Sequence, residues 1–163
     1  MSLRQGLGKT NEWYTPQYVF DALGETFDLD VAHPPTGIKT CVPTNEFLSS
    51  NGLAEDWFGF VWMNPPFGGR NGVDPWLQKF FEYGNGIALT ADRTSAPWWQ
   101  KHAIKADALL FTKGKVRFLK PDGSLGGSPA NGVTLWAAGR RAVSALKTAQ
   151  SRGLGLVFNQ QDS

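Results

Sequence analysis

The residues best placed to do chemistry are Asn64-Pro65-Pro66-Phe67. They follow the apolar run Phe60-Val61-Trp62-Met63 and precede Gly68-Gly69-Arg70-Asn71-Gly72, so they read as a buried strand ending in a rigid turn. Proline has no amide N–H, fixes its own φ and pushes the preceding residue toward extended geometry. The turn therefore offers one amide side chain, carbonyls outside any ladder and one aromatic face. The Asn64 side-chain oxygen and the Pro65 carbonyl are two acceptors that suit the two hydrogens of one exocyclic amino group. Such a nitrogen is a poor nucleophile, because its lone pair is delocalised into the ring. Two preorganised acceptors favour the pyramidal form with a localised pair, which is transition-state electrostatics. A proline loop with a solvent-capped Asn is the plain alternative.

The surrounding elements must hold that turn. Pro16 suits a first helical turn with Thr15 as N-cap, residues 17–23 as the body and Gly24 as the stop. Residues 27–32 alternate with period two and predict a short strand, and 41–52 read as irregular or weakly helical. Strands are expected at 60–63, 86–90, 108–112, 133–138 and 154–158, with 116–119 extending or flanking the third of these. Helices are expected at 75–83 with Asp74 as N-cap, at 98–104 opened by Ser95 and Pro97, and at 140–151. Strands alternating with helices predict an α/β chain with a mostly parallel central sheet. Residues 1–11 read as a loose arm and 12–163 as one compact domain. In open α/β sheets the carboxyl ends of the strands carry the ligands.

Composition narrows the class. With 163 residues, 41% hydrophobic and 13% aromatic, the chain can build a substantial core and is not a disordered sequence. No apolar run reaches the roughly 18 residues of a membrane span, and the N-terminus has no signal-peptide apolar segment, so a cytoplasmic setting is expected. One cysteine, Cys41, and two distant histidines, His33 and His102, argue against a disulfide and against a metal centre. The net charge of +2 is mild, but Lys113, Lys115, Arg117 and Lys120 cluster, and so do Arg140, Arg141, Lys147 and Arg152. Either group suits phosphates or a solvated surface.

Four blocks occur in order: Glu12-Trp13-Tyr14-Thr15-Pro16, Phe27-Asp28-Leu29-Asp30-Val31-Ala32, Leu53-Ala54-Glu55-Asp56-Trp57 and Val61-Trp62-Met63-Asn64-Pro65-Pro66-Phe67. Together they resemble the small phage-type, Dam-like DNA adenine methyltransferases of bacteriophages and prophages, over residues 12 to 136. The resemblance implies a Rossmann-like methyltransferase sheet, S-adenosylmethionine as donor, DNA as partner and protection from restriction as the role. It implies Asn64, Pro65, Pro66 and Phe67 as catalytic residues, with Phe67 stacking on an adenine extruded from the duplex. Trp13, Thr15, Pro16, Asp30, Asp56 and Asn64 would hold the donor. Arg70, Arg93, Lys113, Lys115 and Arg117 would hold DNA. No metal is called for, because a sulfonium already makes its methyl carbon electrophilic.

Plain structural readings stand beside these: an Asx turn for Asp30, solvation for Asp56, and core packing for Trp98 and Trp99. The Phe-x-Gly-x-Gly turn of ordinary methyltransferases is absent, since the chain reads Val31-Ala32-His33-Pro34-Pro35 after Asp30. Phe67 stands where Tyr is commoner, and no separate target-recognition segment is evident. Two alternatives stay open: transfer to a cytosine amino group, and a non-catalytic nucleic-acid-binding or phage interaction module on the same fold.

Overall fold

The computed structural model describes residues 14–35, 37–66, 72–127 and 131–160. The chain order is α1 (Gln17–Leu23), β1 (Phe27–Asp30), β2 (Thr44–Phe47), β3 (Val61–Met63), α2 (Asp74–Tyr83), β4 (Gly86–Ala91), α3 (Pro97–Ala103), β5 (Ala108–Thr112), β6 (Val133–Ala138), α4 (Arg140–Ser151) and β7 (Gly155–Phe158). The strands form one sheet in the order β2-β1-β3-β4-β6-β5-β7.

Alternation along the strands divides the core in two. Trp62, Ile87, Leu89, Leu110, Leu135 and Ala137 face one side and pack with Val19, Phe20 and Leu23 of α1 and Ala142, Ala145, Leu146 and Ala149 of α4. Val61, Met63, Ala88 and Trp136 face the other side, against Leu77 and Phe80 of α2 and Trp99 of α3. Burying a side chain of this size is worth roughly 1.5–3 kcal/mol, so these stripes fix which face each strand turns to which helix. The result is a three-layer α/β arrangement.

The sheet is parallel only in its first half. The ladders β2-β1, β1-β3 and β3-β4 are parallel, whereas β4-β6, β6-β5 and β5-β7 are antiparallel. This corrects the expectation of a mostly parallel sheet. A parallel return needs a long crossover, usually a helix. The connection from β5 to β6 holds no helix among its described residues, so β6 re-enters in the reverse direction. The stretch 116–119 is likewise no strand: Leu119 alone forms isolated bridges, to Tyr14 and to Leu125. Conversely, residues 41–52 contain β2, whose Thr-Asn-Glu-Phe sequence is mostly exposed at the sheet edge and carries no apolar signal.

The helix starts also depart from expectation. Pro16, not Thr15, occupies the N-cap of α1, and no side chain caps it. Asp74 is the first residue of α2, and Val73 precedes it as the cap. Ala96, not Ser95, caps α3, with Pro97 opening the helix. Gly24 does close α1, in the left-handed conformation (φ 68°) that a side chain would oppose.

Candidate active site

β1, β2 and β3 point the same way, so their carboxyl ends share one edge. The chain leaves β1 toward β2 on one side, and β3 lies on the other, so the connections diverge above β1. A cleft of about 250 Å³ opens there, walled by the segments that follow the three strands. This is where strand order reverses, the place at which α/β sheets bind ligands.

Five of the expected residues meet in this cleft: Thr15, Asp30, Asn64, Pro65 and Pro66. Thr15 is buried at 2% exposure, and its Oγ1 accepts a 3.2 Å hydrogen bond from Nδ2 of Asn64. The hydroxyl is thus turned to the Asn64 amide and away from helix capping. The bond fixes the orientation of that amide and sets its oxygen on the opposite side from Thr15. Pro65 is buried while Pro66 is exposed. The apolar run before the turn behaves as expected: Val61, Trp62 and Met63 are all buried, and Trp62 reaches the cleft floor.

Asp30 ends β1 beside Trp62 of β3 and Phe47 of β2. Its carboxylate is 3% exposed, and its one polar contact among the described residues is a 3.2 Å bond from the Ala32 N–H. That is the Asx-type contact the plain reading foresaw. Burial pushes its pKa up to about 7, and the Ala32 bond only partly opposes this. A carboxylate this buried, lining a cleft and lacking a described counter-charge, is matched to a positively charged or proton-donating ligand.

Other expected residues lie elsewhere. Pro16 is buried at the start of α1 and does not line the cleft. Asp56 is exposed on the loop before Trp57 and is not part of the cleft wall either. Neither residue touches the cleft: Pro16 is packed inward at the start of α1, and Asp56 faces solvent. Arg93 is exposed in the loop after β4, and Asp92 beside it takes a short hydrogen bond from Thr134. Trp99 is core, packed on Trp136. Trp13, Phe67 and Arg70 lie outside the described residues.

The basic segment comes nearer than its sequence distance suggests. Tyr14 lines the cleft, and its backbone exchanges two hydrogen bonds with Leu119, at 3.0 and 2.8 Å. Residues 113–127 are thereby tied beside Thr15, with Lys113, Lys115 and Arg117 exposed. Arg117 also donates to the Gly126 carbonyl at 2.8 Å, which holds the loop together. In the second basic group, Arg141 pairs with Glu25 at 2.6 Å and Arg152 donates to the Asp21 carbonyl, so both brace α1 against α4.

Several wall residues carried no functional signal in the sequence. His33 stacks on Phe47 at 4.0 Å, and its Nδ1 lies 2.8 Å from the Pro34 carbonyl. Ser49, Ser50, Asn51 and Gly52 form a second wall, and Trp76 of α2 closes it. Only the break in pattern after the Asp30 strand pointed to this region: a chain lacking the glycine turn must build its wall from other loops. Among the described residues no group of His, Cys, Asp or Glu could hold a metal ion, and no helix is long and apolar enough to cross a membrane.

Neither a curated protein nor a solved structure matches the chain. The sequence model of the family described as DNA N-6-adenine-methyltransferase (Dam) matches residues 7–135, a span that holds every described residue of the cleft. The chain belongs to the DNA N-6-adenine-methyltransferase (Dam) family.

Proposed function

We propose that this protein transfers a methyl group from S-adenosylmethionine to the exocyclic amino group of adenine in DNA, on a Rossmann-like methyltransferase sheet. The observation that carries the reading is the convergence of Thr15, Asp30 and Asn64-Pro65-Pro66 on one cleft at the strand ends. Family membership supports DNA adenine as the acceptor. A bacterial cell carrying a phage or prophage is the setting we propose, on the strength of the resemblance to phage-type enzymes.

The residues divide the work. When bound, S-adenosylmethionine supplies an electrophilic methyl carbon. Asp30 supplies the negative group that offsets the donor's positive charge in a dry site. Asn64, oriented by Thr15, and the Pro65 carbonyl accept the two amino hydrogens and favour a pyramidal nitrogen whose lone pair is localised and no longer shared with the ring. The adenine must leave its stack to reach the cleft, and the loop carrying Lys113, Lys115 and Arg117 would hold the backbone beside it.

Incubation with labelled donor and duplex DNA, followed by nucleoside mass analysis, tests the reading. N6-methyladenine is the expected product. Methylation at the cytosine amino group would move the acceptor, and donor binding without transfer would point to a non-catalytic module.

A further inference from the structure

Lys79 of α2 sits under the second wall of the cleft. Its ammonium reaches three backbone carbonyls at once: Gly52 at 3.2 Å, Leu53 at 2.9 Å and Glu55 at 2.5 Å. It also lies 4.8 Å above the centre of the Trp57 ring. The Trp57 indole N–H donates to the same Gly52 carbonyl at 2.8 Å. The Asn51 carbonyl accepts the amides of Ala54 and Glu55, both at 2.9 Å, so 51–55 is a single helical turn. Its outward carbonyls converge on the lysine, as carbonyls at a helix carboxyl end converge on a cation.

The turn so held is a tight one. Asn51 is the only described non-glycine residue in the left-handed region, at φ 57°. A Cβ on Gly52 would lie 2.1 Å from the Val31 carbonyl oxygen and 2.8 Å from the Trp76 ring. The surroundings must therefore over-determine this backbone for it to persist. Ser49, Ser50, Asn51 and Gly52 line the cleft, and so does Trp76, one turn before Lys79 on the same helix. α2 begins eight residues after Pro66, on the chain that leaves the Asn64 turn.

We infer that Lys79 is a positioning residue that sets the second wall of the cleft, so that donor affinity depends on a side chain that does not touch the donor. This rests on the reading of the cleft as the donor site. A lysine suits the task better than arginine. Three carbonyls converge on a point, which a compact ammonium satisfies and a planar fork does not.

The test compares the wild-type protein with Lys79→Met and Lys79→Arg. The measurements are donor KM, kcat, donor titration by calorimetry and thermal melting. Lys79→Met should raise donor KM and Kd roughly tenfold while kcat at saturation stays within about twofold, and Lys79→Arg should recover part of the loss. A lowered melting temperature with unchanged donor KM and Kd would make Lys79 merely structural and overturn the inference. If neither variant folds, amide exchange on the wild-type protein decides. Saturating donor should slow exchange across 51–57, and no change there overturns the proposal. A wild-type protein that binds no donor fails differently, bringing down the reading of the cleft itself and this inference with it.

Discussion

The end of β1 and the start of α2 each carry an aspartate, and the fold treats the two in opposite ways. Asp74 sits among partners. Its Oδ1 lies 2.7 Å from His102 Nε2 and 3.2 Å from Lys101 Nζ, and the His102 bond, with Lys101 adding to it, holds its pKa below the usual carboxylate range. His102 is fully buried against Phe81, and desolvation drives its own pKa down. The neutral ring donates through Nε2–H, which makes the contact a charge-assisted hydrogen bond and not an exchange of full charges. Asp30, by contrast, is more buried and has one bond from a backbone amide. The scaffold gives the Asp74 carboxylate two hydrogen-bonding partners. A site can leave one unsatisfied for a ligand to complete, and on the reading proposed above Asp30 is the aspartate that does so.

The sharpest way to break this comparison is to remove chemistry without touching either aspartate. Asn64→Ala should cut single-turnover methylation by about 10²–10³-fold, since removing a transition-state acceptor costs roughly 2.7–4 kcal/mol. Melting should move little, because Asn64 is only half-buried. Activity within a few-fold of wild type in a folded variant removes the turn from the mechanism.

Asp30→Asn should separate function from stability. The folded pKa of about 7 lies above the unfolded value of 3.8. The unfolded chain therefore loses this proton first as pH rises, and the group's stabilising contribution, complete below about pH 4, is lost by about pH 7. The loss is worth roughly 1.4 kcal/mol for each pH unit separating the two values. The variant should melt higher than wild type at pH 8, with a flatter profile between pH 4 and 7, while donor Kd weakens about tenfold or more. Destabilisation at pH 8 would show that Asp30 serves the fold.

Asp74→Ala should do the reverse and cost roughly 1–3 kcal/mol in urea unfolding, because it leaves the buried His102 N–H without an acceptor. His102→Phe should cost less, since among the described residues Nδ1 of His102 has no partner to begin with. The pair's pH dependence runs opposite to that of Asp30. Both folded pKa values are lowered, so their contribution is present above the unfolded values and is lost as pH falls through the folded ones. Equal losses for the two variants would contradict the tautomer assigned above.

The smallest effect belongs to the basic loop. Neutralising Lys113, Lys115 and Arg117 should flatten the log–log salt dependence of duplex binding by about 0.9 for each phosphate that no longer has a cation beside it, with base choice unchanged. An unaltered slope assigns them to solvated surface.

Much of the fold was legible because its strands are apolar and its stops are glycines. The buried run at Val61–Met63, the Gly24 cap and the long α4 stripe are each local signals with one physical meaning. β2 was illegible for the converse reason: an edge strand with polar, exposed side chains has no hydrophobic period to read. The antiparallel half is not legible in the sequence, because strand direction depends on how the chain returns after residue 112, and propensity does not encode that route.

For the site, the sequence by itself determined the chemistry: an amide and a proline-locked carbonyl at a strand end, an aspartate ending another strand, and the blocks that mark the family. Only the tertiary structure decided which of these residues meet. Thr15 is joined to Asn64 across 49 positions, and the basic loop is tied to Tyr14 across more than a hundred. The same packing left Asp56 in solvent and built a wall from Ser49–Gly52 that Lys79 holds. The physical reason is that residue type fixes what a group can donate, accept or pair with. Burial, and so the strength of each interaction, arises only when distant segments pack and exclude water.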